Sequence, residues 1–196
     1  MVRRPEMSNY ALVVLPKVIS GPARDVQNVP VIQEWFSGVF PVRMEVVQRY
    51  LKSELAATFL LTEEYLQKAA TVYLSALPYR KRTLDEMAAI REQLPTHIQS
   101  VHKVPSYELV EPAFSMLFDL GILWGEVLRS SDPNLGWHIE TELGLPSTGL
   151  PVLYGPASKS RLCPIQVLLN CARQNIEGRL PADGILKYHH NWLRLL

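Results

Sequence analysis

Apolar residues recur every three to four positions through most of the chain, which is the period of amphipathic helices. The pattern predicts a short helix from Pro30 to about Gly38 and a longer one from Pro41, with Val46, Val47, Tyr50, Leu51 and Leu55 inside. Thr62 before two acids, and the capping box that begins at Thr83, mark two further helix starts. The inward positions expected for the Thr83 helix are Leu84, Met87, Ala88, Arg91 and Leu94. Later helices are expected from Pro112 to Arg129, from Pro164 to Gly178, and after Asp183.

A second period, of two, indicates β-structure in the same chain. Trp137, Ile139, Thr141 and Leu143 alternate with His138, Glu140 and Glu142, which predicts a half-buried strand with a polar outer face. Leu150–Tyr154 is the expected partner, giving a hairpin over 137–154. Ala11–Leu15 is expected to form a short buried strand, and Arg80-Lys81-Arg82 a solvated loop. We therefore expect one α+β domain over 1–196, predominantly helical, with about six helices and a small antiparallel sheet.

Charge and composition narrow the classes of partner. The chain has 20 basic and 19 acidic residues and a net charge of +1, so it lacks the broad positive field that favours nucleic acid or anionic membranes. The longest early apolar run, Ala11–Leu15, is too short for a secretory leader or a membrane span. Cys163 and Cys171 stand eight positions apart in a predicted helix, too far apart for a disulfide. The expected protein is cytoplasmic, with reduced cysteines.

Several known binding and catalytic motifs are missing from this sequence, although a catalytic triad built from distant residues stays open. The sequence has no glycine-rich phosphate loop, no paired-cysteine or two-histidine zinc spacing, and no nucleophile elbow. His189 and His190 are adjacent in a helix, so one is expected in the core and the other at the surface. No cofactor and no metal are expected.

The helix predicted at 112–129 carries the most patterned residues. Gly121 and Gly125 each cost about 1 kcal/mol of helix propensity relative to alanine, which indicates close packing against another element. Ser115, Asp119 and Glu126 share one polar stripe, and Arg129 is placed to pair with Glu126. Three interpretations of the stripe are open: a solvent-facing surface, an acidic edge that binds a partner, or a pair of catalytic carboxylates.

The segment LGILWGEVLR, a turn, and then GWHIETELGLP resemble parts of small uncharacterised bacterial domains, with a helix that starts at a proline following, here at Pro164. Some of these resemble immunity or accessory proteins encoded beside secreted toxins. The resemblance covers residues 112–175 and carries over no catalytic residue.

Three functions are compared on this basis. The first is a non-enzymatic protein-binding protein, in particular a bacterial immunity protein that neutralises a toxin. Its predicted contact residues are Asp119, Glu126, His138, Glu140 and Glu142. The second is a small hydrolase with Asp119, Glu126, His138 and Glu140 around one pocket. The third is a structural or regulatory subunit that docks a neighbour through Trp35, Phe36, Trp192 and the apolar C-terminal Leu193–Leu196.

Overall fold

The computed structural model describes residues 10–14, 28–101, 103–142, 144–181 and 183–196. The expected α+β class is confirmed: seven helices and two small two-stranded sheets form over these residues. The helices are α1 (Val29–Leu55), α2 (Glu63–Ala76), α3 (Leu84–Glu92), α4 (Thr96–Gln99), α5 (Ala113–Ser131), α6 (Pro164–Ile176) and α7 (Gly184–Leu193). The strands are β1 (Tyr79–Lys81), β2 (Tyr107–Leu109), β3 (Gly136–Ile139) and β4 (Pro151–Tyr154).

Helix α5 is the centre of the fold, and α1, α2 and α6 pack around it. The glycine prediction is confirmed. A methyl group at Gly121 would touch Ile165 at 3.4 Å, and one at Gly125 would overlap the ring of Trp137. These two glycines therefore let α6 and β3 approach the backbone of α5.

Helix α1 corrects the expectation of two helices separated at Gly38. It is one helix of 27 residues with Pro41 inside it. An internal proline costs a helix about 3 kcal/mol. Here Pro41 lies on the exposed side, while the buried residues Ile32, Phe36, Arg43, Val47 and Leu51 form one continuous stripe. Packing of that stripe holds the helix together across the proline.

Local capping signals located the starts of α2 and α3 correctly, whereas the short helix α4 (Thr96–Gln99) was not predicted. Thr62 accepts a hydrogen bond from the Tyr65 amide at the start of α2. Thr83 and Glu86 form both bonds of the capping box at the start of α3. The inward rows predicted for α3 are wrong, because this helix has no buried residue and Leu84 is 80% exposed.

The strands also follow the pattern in part. The hairpin is confirmed, with β3 and β4 antiparallel and Trp137 opposite Leu153. The loop predicted at Arg80–Arg82 is corrected, since Tyr79–Lys81 pairs with Tyr107–Leu109. Within Ala11–Leu15, residues 11–14 form no strand, and Leu12 and Val14 are exposed; Leu15 is outside the described residues.

Two smaller expectations are confirmed. Cys163 and Cys171 are both free thiols in the interior. His189 is fully buried, whereas His190 is exposed. Among the described residues, the helices are all too short or too polar to cross a membrane.

Candidate protein-binding surface

An open groove of about 790 Å³ lies along the outer side of α1. We call it the α1 groove; its lining residues are Leu12, Val14, Val31, Glu34, Trp35, Gly38, Val39, Val42 and Arg43. Val31, Val42, Leu12 and Val14 are 52%, 57%, 55% and 79% exposed. The lining is therefore mostly apolar, although most of it faces solvent.

One wall of the α1 groove is the segment 10–14, which is held to the helices by polar contacts. The Arg43 guanidinium donates to the Ala11 carbonyl at 2.8 Å, and the Val13 amide donates to Ser115 Oγ at 2.8 Å. The Trp35 indole N–H donates to the Val14 carbonyl at 3.1 Å. The position of Leu12 and Val14 in the groove thus depends on side chains from α1 and α5.

Below this segment, Arg43 and Asp119 form a buried ion pair between α1 and α5. Arg43 donates from Nε to Oδ1 at 2.7 Å and from Nη2 to Oδ2 at 2.6 Å. The two residues are 3% and 0% exposed. This bidentate geometry is the strongest form of an arginine–carboxylate contact. A buried pair needs such geometry because it must offset the cost of removing both charges from water.

Two tyrosines complete this buried polar cluster. The Tyr10 hydroxyl donates to Asp119 Oδ2. Its only proton is used there, so Tyr73, whose hydroxyl oxygen is 3.1 Å away, donates to Tyr10 in turn. Burial, together with the negative charge of Asp119, raises the pKa of Tyr10 far above its ordinary value, so its hydroxyl remains a donor.

Burial and hydrogen bonding shift the pKa values of Asp119 and Arg43 in opposing ways. Burial raises the pKa of Asp119, while the hydrogen bonds and charge of Arg43 act in the opposite direction. Burial by itself would lower the pKa of Arg43, but its hydrogen bonds to Asp119 raise it, so the guanidinium stays charged. Arg43 therefore reaches the α1 groove as a group whose charge is already compensated.

The structure separates the five predicted contact residues. Asp119 is completely buried, so the solvent-facing interpretation of its stripe is wrong for it and for Ser115. Glu140 is 2% exposed and accepts from the amides of Thr141 and Glu142, at 2.9 and 3.0 Å, and from Arg161 at 2.6 Å. The predicted outward position of Glu140 is therefore also wrong, because the chain leaves β3 after Ile139 and turns this carboxylate inward.

The other three lie nearer the surface. Glu126 accepts from the Trp137 indole at 2.9 Å and pairs with Arg129, as its spacing predicted, at 2.9 Å. Its side chain is only 16% exposed. His138 is exposed and stacks on Tyr154, with ring centroids 4.1 Å apart. Glu142 is exposed and lies 3.8 Å from Arg161.

The carboxylates that the hydrolase hypothesis places around one pocket are each bound to different partners. Asp119 is engaged with Arg43 and Tyr10, and Glu126 with Arg129 and Trp137. Glu140 is bound to Arg161. Each carboxylate thus has its own structural partners, which argues against a common catalytic role. In the described part of the chain, no group of three or more His, Cys, Asp or Glu residues is placed to hold a metal ion.

The residues predicted to dock a neighbouring subunit lie in different environments. Trp35 is half-buried and lines the α1 groove, while Phe36 lies in the core. Trp192, Leu193 and Leu196 are partly buried against the core, and Leu195 is exposed.

Arg43 and Tyr10 are the main residues that sequence reasoning missed. Arg43 carried a usable signal, since it lies on the apolar stripe of α1, seven positions after Phe36 and four before Val47. A charged residue at such a position predicts a buried partner of opposite charge. Tyr10 gave no comparable local signal.

Comparisons of this chain with models of known protein families, with curated proteins and with solved structures found no match.

Proposed function

We propose that this is a non-enzymatic protein-binding protein whose α1 groove takes an amphipathic helix of a partner protein. One observation carries the proposal. Ten large hydrophobic side chains are exposed in the described part of the chain, and four of them line this single groove: Leu12, Val14, Val31 and Val42. Exposed apolar side chains that cluster, rather than scatter, are typical of interaction sites.

The spacing along α1 favours a helix as the occupant. Val31, Trp35, Gly38 and Val42 follow one another at intervals of four, three and four residues, which is the period of a helix-packing seam. The seam is about 16 Å long, or roughly three helical turns. A side chain at Gly38 would have no neighbour within 4 Å among the described residues, so this part of the chain leaves the middle of the seam open to a partner helix.

Charge indicates which helix would fit. Glu34 lines the groove, is exposed, and forms no ion pair with any other described residue. Arg43 is already compensated by Asp119. Among the described residues, the groove therefore presents one negative charge without an ion-pair partner, and we expect a lysine or arginine beside the apolar face of the partner helix.

The narrower function, neutralisation of a bacterial toxin, rests on the resemblance of residues 112–175. Its proposed acidic contact surface is smaller than the sequence predicted, because Asp119 and Glu140 are buried. The α1 groove lies outside the segment that carries the resemblance, so a toxin is one partner among those that could supply the helix.

The test uses a synthetic 18-residue peptide with leucines at the heptad core positions and flanking lysines, titrated by fluorescence anisotropy. We expect binding by the wild-type chain and an affinity about tenfold lower for Val42→Asp, since a charge would be placed in the apolar seam. Leu84→Asp is the matched control: Leu84 is an equally apolar, exposed residue on α3, outside the groove. A peptide with glutamates in place of the lysines should bind more weakly because of Glu34.

Two results would overturn the proposal. One is equal binding by wild-type and Val42→Asp chains, or no binding by either. The other is self-association of the wild-type chain in sedimentation that Val42→Asp abolishes, since a second copy would then be the occupant.

A further inference from the structure

The cleft beneath residues 10–14 has the features of a peptide-binding site. Tyr10, Ala11, Val13 and Val14 each make a polar contact with a different side chain of the helices. Three of these contacts are made to backbone atoms of the segment, and the fourth is made to the Tyr10 hydroxyl. Binding through the backbone with a pocket for one side chain is how proteins recognise extended peptides.

The receptor groups are positioned by the helices themselves. Arg43 and Asp119 bind each other across α1 and α5, and Ser115 is 1% exposed on α5. Tyr73, fully buried on α2, supplies the second hydroxyl. The groups that contact residues 10–14 therefore all lie on helices, which fix their positions.

Apart from these polar contacts, the segment is anchored by Tyr10, whose ring packs edge-on against Tyr50 and Tyr73, and by Val13, which is partly buried against the core. The segment forms no regular secondary structure, and Ala11, Leu12 and Val14 are exposed. Because three of its five residues are exposed and its backbone is outside regular secondary structure, the segment is expected to open at a lower free energy than the helices that it covers. Because Ala11, Leu12 and Val14 are exposed, a competing peptide can carry other side chains at these three positions.

We propose that the cleft between α1 and α5 binds tyrosine-bearing peptide segments of other chains, with residues 10–14 occupying it in cis. The hydroxyl specificity is strict, because buried Asp119 accepts a hydrogen bond from the tyrosine hydroxyl inside the protein. A phosphate on that tyrosine would place negative charge against a buried carboxylate. The site therefore selects the unphosphorylated residue.

A neighbouring cavity lies beside the tyrosine site. It has a volume of about 270 Å³, and Tyr10, Ala11, Arg49 and Ser53 are among its lining residues. Arg49 forms no ion pair with any described residue. An acidic side chain that enters this cavity would meet the guanidinium, so we expect peptides with an acidic residue close to the tyrosine to bind best.

The experiment uses the full chain with Tyr10→Ala, which weakens the cis segment, and a fluorescein-labelled peptide of residues 8–14, SNYALVV. We expect the variant to bind this peptide about tenfold more tightly than the wild type, where the cis segment competes at high effective concentration. Replacing the peptide tyrosine by phenylalanine should weaken binding about tenfold through the lost charge-assisted hydrogen bond. The phosphotyrosine peptide should not bind.

A folded Tyr10→Ala chain that binds no peptide, or that binds the phosphotyrosine peptide equally well, overturns the proposal. A second measurement on the wild-type chain applies if the variant does not fold. The Val13 amide should exchange with deuterium about 100-fold faster than amides within α5, and equal protection would show that the cleft does not open. The α1 groove is tested by a different variant and a different peptide, so either proposal can fail while the other stands.

Discussion

Arg43 on α1 and Asp119 on α5 stand 76 positions apart in the sequence and meet in a buried ion pair with two hydrogen bonds. The pair joins the helix that carries the α1 groove to the central helix of the core. It also holds the segment 10–14 through the Ala11 carbonyl and the Tyr10 hydroxyl. The groove, the cleft and the core are therefore connected through these two residues.

Asp119→Leu should lower the free energy of unfolding by about 3–5 kcal/mol, because Arg43 would remain buried without its partner. The double variant Arg43→Met, Asp119→Leu should recover part of this loss, since no charge stays uncompensated. Urea denaturation of both variants and the wild type measures the effect. A double variant less stable than Asp119→Leu would contradict this account of the pair.

Gly125→Ala and Gly121→Ala should change stability in different ways. An alanine methyl group at position 125 would overlap the Trp137 ring, and overpacking of this kind costs about 1–3 kcal/mol. At position 121 the methyl group would make ordinary contact with Ile165, while helix propensity improves by about 1 kcal/mol. Thermal unfolding followed by circular dichroism would compare them. Equal melting temperatures would rule out the close approach of Trp137.

Glu140→Gln should destabilise the protein by about 2 kcal/mol, because hydrogen bonds from two amides and from Arg161 lose their charged acceptor. Glu142→Gln is the matched control, at an exposed position two residues away, and should change stability by less than about 0.5 kcal/mol. Denaturant titration distinguishes the two. A loss of stability from Glu142→Gln as large as that from Glu140→Gln would show that burial of the carboxylate does not determine its contribution to stability.

Acid should weaken the attachment of α7 through His189. The Trp124 indole donates to Nδ1 of this buried ring at 3.2 Å, and Glu63 Oε1 lies 3.3 Å from Nε2, with His190 bound to the other oxygen of Glu63. Burial lowers the pKa of His189 in the folded state, against the opposing charge of Glu63. The unfolded chain therefore takes up a proton first as the pH falls below about 6.5.

The free energy of unfolding should consequently decrease as the pH falls from about 6.5 toward the lower folded-state pKa of His189. Glutamine at position 189 cannot titrate, so His189→Gln should show a flatter dependence of stability on pH between about 5 and 7.5. Urea titrations at several pH values provide the slopes. Parallel slopes for wild type and variant would exclude His189 as the responsible group.

Sequence alone determined the features that depend on neighbours within a few residues. Caps at Thr62 and Thr83, the proline at the start of α6, and the alternation around Trp137 all act through local hydrogen bonds or backbone geometry. The close packing at the two glycines of α5 could also be predicted, because their cost in helix propensity requires compensation by packing.

Only the tertiary structure decided which polar residues are buried and whether α1 continues through Pro41. The stripe with Ser115 and Asp119 has the same spacing whether it faces water or an arginine, and that arginine lies on a distant part of the chain. Likewise, the cost of Pro41 is local, whereas the packing that outweighs it is distributed along the whole of α1. Periodicity shows which residues share a face, but burial of that face depends on the elements that pack against it.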